Sequence, residues 1–386
     1  MKISGGTIFA LKLPFVESFS HSASKRSYSD SVIVRVYSED GIIGYGEGVP
    51  RQYVTGENIQ SCLEHMVEHL WPAIQRFEYP NLIQTGNTLE TLSQVVKTLP
   101  GHCSNGVIAW NASKSAFEIA LIDLLLKRQS LSLGNLLQPK RQEVTYSGVI
   151  TSGPIEKAAK IAELCTQHGL QFIKIKIGGN DTRERVAAIR EVVGPSVSLR
   201  VDANGAYNVR EALAMLTAIA PFDIDCVEQP IPRSEPYDLA QVKSHSPIPV
   251  MVDESLVTLE DAHALIAAQA CDFFNLRISK CGGIYQTIEI AQTAANAGLG
   301  LQLGCQVGES AILSAAGRHL AAYITDLAFL EGSFGKRLLV EDVTKENFTF
   351  GHEGKARLVE GPGLGVSVCE EFLKDYAVAT ATFGES

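Results

Sequence analysis

The chain has 386 residues, of which 45% are hydrophobic and 20% are charged, a composition that suits a two-domain globular protein with a large core. Its net charge of −10 and the lack of a basic run argue against nucleic-acid binding. No apolar stretch reaches the length of a membrane span, and the eight cysteines form no CxxC pair, so we expect a cytoplasmic protein with reduced thiols and no membrane partner.

The first third of the chain is predicted to be an α+β unit. Strand-like segments at 3–13, 31–37 and 42–49 are followed by helical periodicity at 57–71, 80–97 and 111–127. The tetrapeptide SEDG joins the second and third strands, as a hairpin turn would. We therefore predict one α+β domain over residues 1–135.

From residue 144 onward the pattern changes to an alternation of strands and amphipathic helices. The strand centres fall near residues 148, 175, 200, 226, 250, 276, 301 and 327, a period of about 25 residues. Such βα units predict a parallel sheet, and eight strands fit a closed barrel better than an open sheet, which periodicity alone leaves as an alternative. Residues 332–386 lack this rhythm, and we expect them to pack back across the first domain.

A ladder of charged residues recurs through this segment at steps of 25–28 residues, each at or near the end of a strand-like run: Lys174, Asp202, Glu228, Asp253 and Lys280. Functional groups of a barrel collect at the C-terminal strand ends, and neighbouring strands lie about 4.8 Å apart. The three consecutive carboxylates can therefore converge on one ion, and Mg²⁺ or Mn²⁺ suits such ligands better than Zn²⁺. The alternative for any single acid is a helix cap or a surface charge.

The lysines of the ladder indicate proton transfer. Lys174 and Lys176 are separated by one residue, so they share one face of their strand, where acidic partners offset the cost of burial. A lysine beside a divalent cation loses basicity and approaches the range of a general base. Because Lys280 approaches from four strands away, one lysine can remove a proton and the other can return it from the opposite side, which gives racemisation or epimerisation. If one lysine acts alone, cycloisomerisation or elimination is the alternative.

The motifs KIKIG, VDANGAY, VEQP, VDES and SKCGG, in this order, resemble the enolase superfamily, and specifically its muconate lactonizing enzyme subgroup. The resemblance extends over nearly the whole chain. It implies an α/β fold, a modified TIM barrel of the (β/α)7β type under an N-terminal α+β capping domain, with domain limits of 1–135, 136–331 and 332–386. It also implies Asp202, Glu228 and Asp253 as the Mg²⁺ ligands and Lys176 and Lys280 as the acid/base pair.

Further roles follow from the same resemblance. Lys174 would support Lys176 and bind the substrate carboxylate or enolate, and Asn204 stands where the family has an additional polar group in the active site. Two more acids, Glu254 near Lys280 and Glu309, resemble supporting acids of the subgroup.

Substrate choice in this family lies in capping-domain loops and at the end of the eighth strand. The corresponding loops here are FSHSASKRSYSD and VPRQYVTGE. Their candidate substrate contacts are His21, Lys25, Arg26, Arg51 and Tyr53. At the strand end the sequence FLEGSFG offers Glu331 where dipeptide epimerases carry an Asp-x-Asp pair for the ammonium group, a departure that weakens the case for dipeptides, although Glu331 can hold a cationic group.

We therefore predict a Mg²⁺-dependent isomerase that removes the proton α to the carboxylate of a small molecule, foremost a racemase or epimerase of an amino-acid derivative or dipeptide. The enzymatic alternatives are a muconate cycloisomerase and an o-succinylbenzoate synthase-type dehydratase. The alternative outside enzymes is a catalytically silent barrel that serves as a binding protein. A homo-oligomer is also expected.

Overall fold

The computed structural model describes residues 1–21, 24–79, 81–82, 86–100 and 106–384, without the side chains of residues 18–25. Within these ranges the chain forms a four-stranded antiparallel sheet, an eight-stranded parallel sheet and a two-stranded ribbon. No helix among these residues is both long enough and apolar enough to cross a bilayer.

The antiparallel sheet begins with three consecutive strands, β1 (Ile3–His21), β2 (Ser24–Ser38) and β3 (Ile43–Gly48). The pairing of β1 with β2 continues past an irregularity after Pro14 as far as the pair His21 and Ser24. The prediction of a loop is therefore wrong for residues 19–21 and 24–30, because these residues belong to the two strands of a long hairpin. Their many serines are a weak strand signal, whereas backbone pairing does not depend on side-chain type.

The helices of the first domain are α1 (Ile59–His65), which continues through a π-helical turn (Met66–Leu70) into α2 (Trp71–Ile74), then α3 (Thr88–Val96), α4 (Asn111–Arg128) and α5 (Leu133–Leu137). The helix predicted over 80–97 begins only at Thr88, where Asn87 caps it. Helix α4 lies directly on β3, because a Cβ at Gly44, Gly46 or Gly48 would come within 2.0–2.2 Å of a carbonyl oxygen of α4.

The parallel sheet confirms every predicted strand centre. The short strand β4 (Glu143–Thr145) precedes its eight strands, which are β5 (Gly148–Ile150), β6 (Phe172–Lys176), β7 (Ser198–Asp202), β8 (Ile224–Glu228), β9 (Val250–Val252), β10 (Phe273–Leu276), β11 (Gly300–Leu303) and β12 (Leu327–Leu330). The helices between them are α6 (Ile155–Gln167), α7 (Thr182–Val193), α8 (Val209–Ile219), α9 (Pro236–His245), α10 (Leu259–Ala267), the single turn α11 (Ile278–Cys281), α12 (Ile284–Asn296) and α13 (Ala311–Tyr323).

The sheet curls into a barrel of the (β/α)7β type, as predicted. Its strands follow the chain order from β5 to β12, and the backbone N–H of Ser147 donates to the carbonyl of Leu330 at 2.8 Å, which links the first edge to the last. Along β6, Ile173 and Ile175 are fully buried, while the alternate residues Lys174 and Lys176 share the opposite face.

The last part of the chain contains β13 (Lys355–Arg357), α14 (Glu370–Tyr376) and β14 (Ala377–Gly384). Strand β13 pairs with β4, and β14 pairs antiparallel with β1 at the outer edge of the first sheet. This pairing favours the prediction that the final segment returns to the capping domain. The domain limits 1–135, 136–331 and 332–386 stay a prediction.

Candidate active site

The ladder residues meet at the C-terminal mouth of the barrel. Two lysines lie on β6, two acids end β7 and β8, the third acid follows β9, and the last lysine lies on α11 after β10. All six residues are at least 95% buried: Lys174, Lys176, Asp202, Glu228, Asp253 and Lys280. Because burying a charge is costly unless it is paired, the arrangement of partners decides what the site can do.

The charges alternate in sign from one end of the site to the other. We call this series the charge chain, and its members in order are Lys176, Asp202, Lys174, Glu228, Arg277, Asp253 and Lys280. At one end, the Nζ atoms of Lys176 and Lys174 lie 2.5 and 3.3 Å from Oδ2 of Asp202. At the other end, Nζ of Lys280 lies 3.0 Å from Oδ1 of Asp253.

Glu228 lies at the centre of the charge chain. Its Oε2 atom is 3.1 Å from Nζ of Lys174, and its Oε1 atom is 3.4 Å from the Arg277 guanidinium. Two amides also donate to it, that of Asn275 at 2.8 Å and that of Gln302 at 3.2 Å. Burial by itself would raise the pKa of Glu228, but the charges of Lys174 and Arg277 hold that pKa below its usual value.

The three carboxylates suit a hard divalent cation. Among the described residues, no three His, Cys, Asp or Glu side chains are close enough together to hold a metal ion as they stand. Positively charged side chains separate the three acids. Lys174 lies between Asp202 and Glu228, and Arg277 contacts both Glu228 and Asp253. The carboxylates thus already surround positive charge, and their oxygens are the ligands that Mg²⁺ prefers. A cation held by all three would take over the charge that Arg277 supplies.

Lys176 faces a cavity of about 470 Å³ at the mouth of the barrel. The polar side chains in the cavity wall are those of Glu17, Tyr53, Thr151, Cys165, His168, Lys174, Lys176, Asn204, Arg277, Cys305, Glu331 and Arg337. The ammonium of Lys176 donates to Asp202 and, at 2.8 Å, to Oδ1 of Asn204. Since an ammonium has three protons, these two bonds leave one for a molecule in the cavity.

Lys280 has a different environment. Its side chain is fully buried and is absent from the cavity wall. Its ammonium donates to Oδ1 of Asp253 at 3.0 Å, to the Asp253 carbonyl at 2.7 Å and to the Asn275 carbonyl at 2.8 Å. All three of its protons are therefore engaged, and the site is asymmetric with respect to its two outer lysines.

Glu254 lies on the Lys176 side of the site. Its Oε1 atom accepts from Nδ2 of Asn204 at 3.0 Å, and Asn204 in turn accepts from Lys176. Burial, together with the charges of Asp253 and Asp202, raises the pKa of Glu254 to about 7. Through Asn204 the Glu254 carboxylate is linked to Lys176, and its predicted place near Lys280 stays a prediction.

Glu331, at the end of β12, is paired with two cations. Its carboxylate lies 2.6 Å from Nζ of Lys174 and 2.9 Å from the Arg200 guanidinium. Arg200 is fully buried and stacks on the Phe329 ring at 4.1 Å from its centroid. The negative charge of Glu331 is thus already offset from within the protein.

The remaining candidate substrate contacts, Arg26, Arg51 and Glu309, differ in how close they lie to the cavity. The Arg26 guanidinium lies 5.7 Å from the ring centroid of Tyr53, a half-exposed side chain of the cavity wall. Arg51 is buried outside that wall, donates to the Val307 carbonyl and to Ser29, and has a pKa lowered by burial to about 10. Glu309 also lies outside the cavity wall.

The backbone N–H of Gln306 donates to Glu309 at 3.1 Å. Burial and the neighbouring Glu47 carboxylate raise the pKa of Glu309 to about 8. The side chains of His21 and Lys25 lie outside the described residues. The substrate contacts assigned to Arg26, Arg51 and Glu309 stay predictions.

Sequence reasoning missed four polar side chains of the barrel interior, namely Arg200, Asn275, Arg277 and Gln302. Each stands between apolar residues in a strand-like run, such as FFNLR and LQL. Arg200 lies two residues before Asp202, just as Lys174 lies two before Lys176, so the same i, i+2 rule could have found it.

Comparison with known proteins agrees with this geometry. Residues 8–138 match the family model "Mandelate racemase / muconate lactonizing enzyme, N-terminal domain", and residues 155–372 match "Enolase C-terminal domain-like". The chain is 30% identical to an N-succinyl-L-Arg/Lys racemase of Bacillus cereus over 98% of both chains. It is 32% identical to a hydrophobic dipeptide epimerase of Enterococcus faecalis over 95% of this chain and 100% of that one.

The fold also resembles a solved dipeptide epimerase from Cytophaga hutchinsonii, complexed with Mg and the dipeptide D-Ala-L-Val. The TM-score is 0.85 at 27% identity, over 99% of this chain and 100% of that chain.

Proposed function

Since the chain belongs to the mandelate racemase/muconate lactonizing enzyme family of the enolase superfamily, we propose that it is a racemase or epimerase that removes and returns the proton α to a carboxylate. The observation that carries the proposal is the charge chain, in which Lys176 and Lys280 stand at the two ends with three carboxylates between them. Two bases on opposite sides of one substrate carbon are what inversion of its configuration requires.

Asp202, Glu228 and Asp253 would hold Mg²⁺, with Mn²⁺ as an alternative, because they are hard oxygen ligands at the ends of consecutive strands. When bound, the cation supplies the positive charge that stabilises an enolate formed from the substrate carboxylate.

The residues of the chain itself orient the substrate and move the proton. Lys176 removes or returns the proton from the cavity side, held by Asp202 and by Asn204, which Glu254 orients. Lys174 binds the substrate carboxylate while Glu331 offsets part of its charge. Lys280, which is buried behind the cavity wall beside Asp253, would serve the opposite face of the substrate carbon once a substrate extends toward Asp253. General acid–base groups of this kind contribute about 10²–10⁴-fold in rate.

The substrate that we propose is an N-acylated amino acid. Because Lys174 and Arg200 already neutralise Glu331, a free ammonium group would find little negative charge at the end of β12. Arg337, an exposed residue of the cavity wall, offers a partner for a second carboxylate such as that of a succinyl group. An apolar part of the wall, formed by Ile161, Leu164, Leu170, Phe334 and Leu338, suits a hydrophobic side chain. The relative in Bacillus cereus is named for N-succinyl substrates.

The test is a substrate panel with Mg²⁺ in D₂O, followed by ¹H NMR. The panel contains N-succinyl and N-acetyl derivatives of phenylalanine, leucine, lysine and arginine, matching dipeptides, and cis,cis-muconate. We expect the α-proton signal of an N-acyl amino acid to disappear while its optical rotation decays. Consumption of muconate alone would instead favour cycloisomerisation, and inertness toward the whole panel would contradict the proposal. Homo-oligomeric assembly stays a prediction.

A further inference from the structure

The turn that carries Lys280 is held by the capping domain. Helix α11 is a single turn, and the carbonyl of Lys280 accepts a hydrogen bond from Nδ2 of Asn111, the first residue of α4, at 2.6 Å. The same amide group donates to the Val257 carbonyl at 2.9 Å. Asn111 is 99% buried, so no water competes for these bonds. Asn111, a residue of the capping domain, is therefore hydrogen-bonded to the backbone of Lys280.

Two further contacts hold the same turn. Glu118 lies about two helical turns after Asn111 on α4. Its carboxylate accepts from the backbone N–H groups of Ile284 and Tyr285 at 2.6 and 2.8 Å and so caps the start of α12. Within the turn, the hydroxyl of Ser279 accepts from the backbone N–H of Val49 at 2.8 Å. The turn is thus fixed at its start, at Lys280 and at its end by residues of the first domain.

The glycines of SKCGG allow this close contact. Gly282 and Gly283 have φ values of +90° and +121°, which L side chains rarely adopt. A Cβ at Gly282 would lie 2.8 Å from Oδ1 of Asn111, and one at Gly283 would lie 1.5 Å from Oε2 of Glu118. The two glycines therefore leave room for the polar side chains of α4.

Lys176 has no such support. Strand β6 is bonded on both sides to its barrel neighbours β5 and β7. The side chains of its two lysines donate to Glu228, Glu331, Asp202 and Asn204, all of which lie in the barrel. Loss of the contacts that Asn111, Glu118 and Val49 make around Lys280 should consequently leave Lys176 in place.

We propose that Asn111 is a positioning residue for Lys280, through which the capping domain controls proton transfer on one face of the substrate only. The inference rests on the proposed function, which makes the two lysines serve opposite faces. Proton transfer needs heavy atoms about 2.6–3.2 Å apart, and a displacement of about 1 Å can cost about 10²-fold in rate. Loss of the Asn111 amide should therefore reduce exchange on the Lys280 face and spare the Lys176 face.

The first test compares Asn111→Ala with Ser115→Ala in the full-length protein with Mg²⁺ in D₂O. Ser115 lies on the same helix, is also buried, and donates to the Glu47 carbonyl rather than to the turn. The probes are N-succinyl-L-phenylalanine and N-succinyl-D-phenylalanine, whose side chain matches the apolar part of the cavity wall. The stereoisomer whose exchange is lost in Lys280→Ala defines the Lys280 face.

For Asn111→Ala we expect α-proton exchange on the Lys280 face to slow about tenfold or more and exchange on the other face to change less than twofold. Ser115→Ala should keep the wild-type ratio of the two faces. Equal slowing of both faces in Asn111→Ala would overturn the inference, because a general loss of structure has no preference for one stereoisomer.

A second test does not depend on turnover. Amide hydrogen exchange, followed by mass spectrometry, compares peptides covering residues 277–286 and 172–178 in the same variants. We expect faster exchange in 277–286 alone, and only in Asn111→Ala. Unchanged exchange in that peptide would overturn the positioning role even if the probes are inert. A wild-type protein that exchanges neither probe would count against the proposed substrate and leave this second test decisive.

Discussion

The two halves of the site are built in different ways. On one side, Lys176 projects from a central strand, lines the cavity and has two acceptors for its three protons. On the other side, Lys280 lies on a single helical turn, is fully buried and has three acceptors. The barrel alone fixes the first lysine, whereas barrel and capping domain together fix the second. Chemically equivalent groups can thus depend on different parts of one fold.

The largest effect on stability is expected on the Lys176 side. Glu331→Gln removes the charge that Lys174 and the fully buried Arg200 share. An uncompensated buried charge costs about 3–5 kcal/mol, so we expect the free energy of unfolding to fall by that amount. Urea unfolding followed by circular dichroism measures it. A change below about 1 kcal/mol would mean that Arg200 is solvated or paired in another way.

Two glycine substitutions compare the two sides directly. Gly283→Ala places a methyl group against Glu118 on the Lys280 side, whereas a Cβ at Gly153, after β5 on the Lys176 side, meets no atom within 4 Å. Both glycines have positive φ, so both variants carry backbone strain of about 1 kcal/mol. We expect Gly283→Ala to cost about 2–4 kcal/mol in total and Gly153→Ala only the strain. If thermal unfolding shows equal losses of stability in the two variants, Glu118 does not pack closely against Gly283.

Glu118 should make stability depend on pH. Burial raises the pKa of Glu118 from an ordinary value of 4.5 to about 8. The folded state therefore retains a proton that the unfolded state has lost, and the free energy of unfolding decreases as the pH rises from about 4.5 through about 8.

Between pH 6 and pH 9 the resulting loss of stability is about 3 kcal/mol. We expect the wild type to lose that much more stability over this interval than Glu118→Gln, as measured by urea titration at both pH values. Parallel pH profiles of the two proteins would mean that Glu118 is ionised throughout.

The smallest effect is expected at the rim of the cavity. Nζ of Lys157 on α6 lies 2.9 Å from Oε2 of Glu17 on β1, and both side chains are at least half exposed. Solvent screens such a pair, so Glu17→Gln should lower stability by less than about 0.5 kcal/mol. A larger loss in urea unfolding would indicate that this contact between the domains is stronger than its exposure suggests.

Much of the barrel could be predicted from the sequence, because strands buried on both faces leave apolar runs at a regular period. Asp202, Glu228 and Asp253 could be found because each follows such a run. Arg277 escaped notice because a single cation in an apolar run resembles a surface position until its neighbours are known.

The support from Asn111 could not be predicted either. It depends on the packing of α4 against a turn 169 positions further along the chain, and no local pattern encodes that contact. The strand pairing of residues 19–21 with 24–26 was missed for a related reason, since backbone pairing rather than side-chain pattern forms it.

The central claim is that two lysines act on opposite faces of one carbon, and α-proton exchange in two variants tests it most directly. With both stereoisomers of an accepted substrate in D₂O, Lys176→Ala should lose exchange from one stereoisomer and Lys280→Ala from the other, each by about 10³-fold. The untouched face should keep most of its wild-type rate. Exchange from both stereoisomers in either variant, or loss of both in Lys176→Ala together with none in Lys280→Ala, would contradict the two-lysine account.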